Sequence, residues 1–151
     1  MEFSSYITGF TDGEGCFSIS FSIRNKLKTG IEVRPSFSIS QNLRSKNVLF
    51  EIQKYFKCGF IRFSASDQTY KFEVRSIQDL IKIIIPHFDK NPLVSFKNRD
   101  FQLFKEICGM VYRNEHRNSS KLSLIIEKAY QMNYSGKRKY KKEKLLKMLI
   151  R

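Results

Sequence analysis

Between residues 7 and 17 the chain reads Ile7-Thr8-Gly9-Phe10-Thr11-Asp12-Gly13-Glu14-Gly15-Cys16-Phe17, an acid set between two glycines where a helical pattern gives way to a strand pattern. Gly9 and Gly13 lie four apart, on one helix face, where each glycine costs about 1 kcal/mol relative to alanine. Close approach of a second backbone offsets such a cost, because the missing Cβ lets two helices touch. Glu14 falls at the negative end of the helix dipole, beside carbonyls that lack intrahelical partners. A carboxylate in that place calls for a cation. A hard divalent ion such as Mg²⁺ would accept oxygen from both the Glu14 side chain and the Gly13 carbonyl. Asp12 reads as a helix-end acid rather than a metal ligand. A helix-capping glycine with an incidental surface acid would give the same letters, so the flanking elements must decide.

Those elements follow from periodicity. A short helix capped at Ser4 or Ser5 and running to about Gly13 carries Tyr6, Ile7 and Phe10. Phe17, Ile19, Phe21 and Ile23 then alternate with Ser18, Ser20, Ser22 and Arg24. After a basic connection at 25–30, Val33, Pro35, Phe37 and Ile39 alternate with Arg34, Ser36, Ser38 and Ser40. A period of two in both runs predicts a long hairpin with one core face and one polar face. A helix from about Ser45 follows, with Val48, Leu49, Ile52, Tyr55 and Phe56 at helical spacing and an end near Cys58-Gly59. In the next hairpin Ile61 and Phe63 alternate with Arg62 and Ser64, residues 66–68 turn, and Tyr70, Phe72 and Val74 alternate with Lys71, Glu73 and Arg75. Ser76, with Asp79 three residues on, opens a helix to about Phe88. Beyond Pro92, helices are expected at about 97–114, 120–131 and 142–150, with a turn at 133–136. The order predicts one α+β domain over residues 1–151: a four-stranded antiparallel sheet with helices on one face.

Composition narrows the partners. With 151 residues, 41% hydrophobic and 14% aromatic, the chain can build a core, which excludes disorder. The longest apolar runs are broken by charge and residues 1–5 carry no basic-apolar leader, so an intracellular protein with no membrane partner is expected. Cys16, Cys58 and Cys108 are odd in number and widely spaced, neither a disulfide framework nor a paired zinc motif, and read as buried free thiols. His87 and His116 stand too far apart in sequence for a histidine-metal nuclease. A net charge of +14 points to a polyanion, most simply nucleic acid, with ribosomal-type and acidic-lipid partners still open. Abundant Lys, Ile, Phe, Ser and Asn fit an AT-rich coding sequence of organellar or low-GC origin.

The polar strand faces suit that polyanion. Ser18, Ser20, Ser22, Arg24, Arg34, Ser36, Ser38, Ser40, Arg62, Ser64, Lys71, Glu73 and Arg75 form a face with Glu73 as its one acid. A plain solvent-facing sheet would alternate in the same way. A β-ribbon also fits the DNA major groove, where Arg pairs with guanine and Ser reaches bases or phosphates. Eight strand residues span about 26 Å, which follows roughly eight base pairs of duplex.

The stretch Ile-Thr-Gly-Phe-Thr-Asp-Gly-Glu-Gly at 7–15 resembles the signature of the LAGLIDADG homing endonucleases. The resemblance extends over about residues 5–135: the element order is similar to the family's αββαββα core, Pro35 to Gln41 resembles its second strand, and residues 79–104 are similar to its mitochondrial group I intron branch. It implies that Glu14 and the Gly13 carbonyl hold Mg²⁺, or Mn²⁺ or Ca²⁺ in the same place, polarising the scissile phosphate and activating water. It further implies that Lys97 neutralises developing charge and that Gln41 orders water, whereas Ser45 stands where some members carry arginine. Family members need two motif copies, packed across a two-fold axis, to cut both strands. The single copy here implies a homodimer through Ile7, Gly9, Phe10 and Gly13, acting on double-stranded DNA at a long pseudo-palindromic site. An RNA-binding intron maturase of the same fold and one half of a two-motif protein are the alternatives, and an organellar setting, mitochondrion or chloroplast, is implied. The basic run at 136–142 would grip phosphate, act as a localisation signal, or merely solubilise a terminus.

Overall fold

The computed structural model describes residues 2–133 and 137–150. Helix α1 (Phe3–Glu14) runs straight into strand β1 (Gly15–Ile23), and Gly15 makes the junction possible: its N–H closes on the Thr11 carbonyl, and a Cβ there would lie 2.5 Å from Thr11 Cγ2. The helix starts one or two residues before the expected serines, with Glu2 at the cap and no side-chain capping bond. Strand β2 (Ile31–Asn42) returns antiparallel to β1 with Gly15 opposite Ile39 and Ile23 opposite Ile31. A 3₁₀ turn at Leu43–Ser45, opened by the Asn42 side chain accepting from the Arg44 N–H, leads into α2 (Lys46–Phe56).

Helix α2 stops in the left-handed residue Lys57 (φ 58°), and Gly59 (φ 83°) completes the reversal into β3 (Phe60–Ser64). A Cβ at Gly59 would meet the Phe72 ring at 2.7 Å and the Glu73 carbonyl at 2.8 Å, so glycine is required twice over at this position. Strand β4 (Thr69–Val74) lies between β3 and β2, giving an antiparallel sheet of order β1-β2-β4-β3. The expected four-stranded sheet is present and its alternation holds along β1 and most of β2, but the edge strand β3 departs from it: Phe63, expected on the core face, is 44% exposed.

One rod follows. Ser76 caps α3 (Ile77–Asp79) by accepting from the Asp79 N–H at 3.3 Å, a wider π turn spans Leu80–Ile84, and α4 (Ile85–Lys90) continues it. The widened turn lies just before Pro86, which has no N–H to donate and whose ring crowds the preceding turn of an ordinary α-helix. Then come α5 (Lys97–Tyr112), a 3₁₀ turn at Glu115–Arg117, α6 (Ser119–Ala129), capped by Asn118, and α7 (Lys142–Met148). Residues 134–136 of the expected turn lie outside the described residues.

The odd-numbered apolar residues of the long hairpin meet the helices. Phe17 stands at the centre, its ring 5.1 Å from Phe37, 5.3 Å from Phe101 and 5.3 Å from Phe104. Each such ring removed from water contributes about 2–3 kcal/mol, and this layer holds the sheet against α4 and α5. The three cysteines do not share one fate: Cys108 is buried, Cys58 is half-buried, and Cys16 is exposed because its even position in β1 turns it to the polar face. Among the described residues no helix is long and apolar enough to cross a membrane.

Candidate active site and nucleic-acid interface

The C-terminal end of α1 is held from two sides. The Lys97 ammonium, on the first residue of α5, donates to the Thr11 carbonyl at 2.9 Å, which the Gly15 N–H also reaches, and to the Asp12 carbonyl at 3.1 Å, so it binds the backbone oxygens of the helix's last turn. The Asp12 carboxylate reaches the opposite way, accepting from the Val94 N–H (2.9 Å), the Ser95 N–H (3.1 Å) and the Ser95 hydroxyl (2.6 Å). Burial works against the charged form of Asp12, but the Ser95 hydroxyl, the two amides and nearby Lys97 outweigh it and hold the carboxyl below its ordinary range. Asp12 is thus the structural acid that the sequence suggested.

Glu14, two residues on, is exposed, and no protein hydrogen bond or ion pair engages its carboxylate among the described residues. The Gly13 carbonyl is the next one past the pair that Lys97 covers. Gln41 lies two residues beyond the Ile39–Gly15 pair on β2, so the register brings it to the same junction, where its amide donates to the Ser40 carbonyl at 2.9 Å. Glu14, Gly13, Lys97 and Gln41 therefore gather at one end of α1. The oxygen donors suit a hard divalent ion, but one carboxylate and one carbonyl are an incomplete shell. No group of three metal-capable side chains occurs among the described residues. Water and phosphate oxygens are the kinds of ligand that would complete such a shell.

The outward face of α1 is open. A Cβ at Gly9 or Gly13 would meet nothing within 4 Å. Phe10 is partly exposed there, and Tyr6, whose ring lies 5.8 Å from Phe10, shares the same helical face at i, i+3, i+4 and i+7 with Gly9, Phe10 and Gly13. Ile7 corrects the expectation: it is 0% exposed and belongs to the core, because its side of the helix faces the sheet, as do Thr8 and Thr11.

On the polar face of the sheet, a shallow cavity of about 300 Å³ is lined by Cys16, Ser18, Ser20, Arg34, Ser36, Ser38, Lys71, Glu73 and Arg75, so the structure brings most of the expected contact residues together. Ser22, Arg24, Ser40, Arg62 and Ser64 lie around it on the same alternation. Two of the expected contact residues are withdrawn. Glu73 is 5% and Ser38 7% exposed, because they face each other across β4 and β2 beneath longer side chains. Glu32, opposite Ser22, is a second acid on this face, paired with Arg24 at 2.9 Å and Arg34 at 3.3 Å. Period-two parity could have placed it there, as it could have placed Phe60, which stands opposite Glu73.

Beyond β1, a groove of about 700 Å³ separates the sheet edge from the basic tail and includes Phe96, Lys137 and Lys139. Arg138 is not part of a solvated run. Its guanidinium donates to the Ile19 carbonyl on the free edge of β1 at 2.6 Å and to the Ala129 carbonyl at 2.5 Å, and it stacks 4.5 Å from the Tyr130 ring. Nothing in local spacing marks that residue out among its neighbours.

The family model described as LAGLIDADG endonuclease matches residues 7–108. The homing endonuclease I-ApeII of Aeropyrum pernix is 31% identical over 150 residues, which is 95% of this chain and 88% of that protein. The archaeal intron-encoded homing endonuclease I-Vdi141I, solved in complex with DNA, superposes with a TM-score of 0.88 at 29% identity, over 97% of this chain and 93% of that one. I-SmaMI, bound to an uncleaved DNA target in the presence of calcium ions, superposes with a TM-score of 0.86 at 29% identity, but this chain covers only 47% of it. Against similar proteins of Neurospora crassa, Podospora anserina and Mycosarcoma maydis the chain likewise spans 29%, 25% and 47% of their lengths. The signature at the end of α1, the antiparallel sheet and these matches all agree: the chain belongs to the LAGLIDADG endonuclease family.

Proposed function

We propose that this chain is a site-specific DNA endonuclease domain that hydrolyses phosphodiester bonds with a divalent metal, most simply Mg²⁺, and works as a homodimer on a long pseudo-palindromic site. The observation that carries the proposal is the exposed Glu14 carboxylate at the end of a helix whose adjacent glycine face is open. Two chains meeting along Gly9, Phe10 and Gly13 would bring two such acids together, one for each strand. A metal held by Glu14 and the Gly13 carbonyl would supply Lewis-acid polarisation of the phosphate and a lowered pKa for water. Lys97 would fix the height of Glu14 through the helix end and add positive charge where the phosphate becomes more negative. Gln41 would orient a water at the same junction. The cationic sheet face would follow the major groove, with Ser18, Ser20, Ser22, Ser36, Ser40 and Ser64 at its surface as adaptable donors and acceptors.

A related reading, favoured by the 47% coverage of I-SmaMI, is that the second motif comes from a continuation of the same polypeptide. Either way two α1 faces meet. The AT-rich residue bias and the intron-encoded names among the similar proteins support an organellar setting.

The test is incubation of the full chain with a randomised plasmid library, in Mg²⁺ or in chelator. The proposal expects a recurrent cut site of about twenty base pairs with Mg²⁺ alone, on the geometry of two eight-residue strand readers. Uncut plasmid, or RNA binding with intron splicing in place of cleavage, would overturn it.

A further inference from the structure

The buried acid at the centre of the polar face needs a reason. The Glu73 carboxylate is 5% exposed on the side of the sheet that otherwise meets solvent, and it collects its partners with a division of labour. Oε1 receives Nη2 of Arg75 at 3.1 Å and Nη2 of Arg62 at 3.4 Å, while Oε2 accepts the Ser36 hydroxyl at 2.5 Å. The arginines come from different strands: Arg62 lies on β3 opposite Lys71, and Arg75 directly follows β4. Phe60, opposite Glu73, sits beneath the Arg75 guanidinium, with 5.3 Å from Cζ to the ring centroid.

Resting on the endonuclease reading, we infer that Glu73 is a positioning residue for base recognition: it does not contact DNA but fixes Arg62 and Arg75 so that each presents a defined edge to the major groove. Each arginine gives one Nη2 N–H to Glu73 and keeps the second Nη2 N–H, which with the neighbouring Nη1 or Nε makes an edge of two parallel N–H groups for another partner. A guanidinium presenting two parallel N–H groups matches O6 and N7 of guanine, so the bases assigned to this pair are guanines. The two guanidinium groups themselves remain half exposed, and long side chains left free lose rotamer entropy on binding, so a buried carboxylate shared by both contributes to recognition by pre-ordering them. It also discriminates by charge. Uncompensated, Arg62 and Arg75 would grip any phosphate within reach. With Glu73 between them, they gain most where a base edge offers two acceptors. Burial works against the charged form of Glu73, but the Ser36 hydroxyl, the Arg75 guanidinium and nearby Lys71 outweigh it, holding the carboxyl below its ordinary range.

The experiment uses the site recovered from the plasmid library and compares the full wild-type chain with Glu73→Gln, Arg62→Gln/Arg75→Gln, and the triple variant. Relative affinity is measured for every single base-pair substitution, and binding is measured against salt. Glu73→Gln is expected to lower discrimination at the guanine positions by about tenfold while other positions keep their ratios. Its salt slope should steepen by roughly one phosphate contact. In the double-arginine background the Glu73→Gln change should have no further effect on discrimination. A flat difference across all positions, or the same loss with and without the arginines, would overturn the inference. Should Glu73→Gln fail to fold, Ser36→Ala, which frees only Oε2, is read in the same way: relaxed discrimination at the same positions supports positioning, and an unchanged profile overturns it. If wild type shows no sequence preference at all, the endonuclease reading itself fails, an outcome separate from these.

Discussion

Lys97 and Asp12 lock the same two elements in opposite directions: the Lys97 ammonium binds backbone carbonyls of α1, and the Asp12 carboxylate binds backbone amides just before α5. The end of α1 is therefore fixed in position, and Glu14 projects from a rigid base.

Replacing Lys97 with Met removes a cation and two charge-assisted bonds from a helix C-terminus. A loss of about 1–2 kcal/mol in unfolding free energy is expected, measured by urea denaturation. On the endonuclease reading, cleavage should fall much further than binding. Equal losses in both would assign Lys97 to stability alone.

The Asp12 pair has a pH signature. Its folded pKa is depressed, so the unfolded state binds more protons as pH falls and the stabilisation is lost on acidification through the folded value. Wild type should therefore exceed Asp12→Asn in melting temperature above about pH 4, with the gap closing at lower pH. A gap that stays constant down to pH 2 would sink this assignment.

His87 supplies a second, separate dependence. The Thr8 hydroxyl donates to the Asn91 carbonyl at 2.9 Å, so it accepts from His87 Nε2 at 3.2 Å, and His87 Nδ1 accepts from the Tyr55 hydroxyl at 3.3 Å. Burial among Phe56 and Phe88 pushes the imidazole down to about 4. A base with a lowered folded pKa binds fewer protons folded than unfolded, so stability is full above the ordinary histidine value and falls between about pH 6.5 and 4. The expected loss over that range is on the order of 2 kcal/mol after solvent screening. His87→Gln should flatten this part of the stability profile, read by thermal denaturation across pH.

The glycine face separates chain stability from association. With open space at Gly9, Gly9→Ala should stabilise the isolated chain by up to about 1 kcal/mol through helix propensity. Gly9→Leu would place bulk where a partner helix should approach. Light scattering should then show a shift from dimer to monomer with no matching fall in melting temperature. An unchanged mass would remove the α1 face from the interface.

Much of this was legible because the sequence alternates cleanly. Phe17, Ile19, Phe21 and the matching run from Val33 to Ile39 define the hairpin and its core side by period alone. The same parity applied to Glu32 and Phe60 would have put both on the polar face, where the structure has them. Ile7 went the other way because it neighbours Phe10 at i, i+3 on the helix surface, yet lies on the side that turns to the sheet with Thr8 and Thr11. Lys97 could be picked from many lysines only through family resemblance, since its partners are backbone atoms 85 and 86 residues away. Arg138 was illegible for a related reason: its acceptors lie on a strand edge and a helix end that no local pattern connects to the tail.

The most direct test is single-turnover cleavage of the recovered site by wild type and Glu14→Gln in Mg²⁺, with binding measured on the same DNA. The account predicts that the variant binds within a few fold of wild type but cleaves at least about a hundredfold more slowly. A Glu14→Gln chain that cuts at the wild-type rate would contradict it.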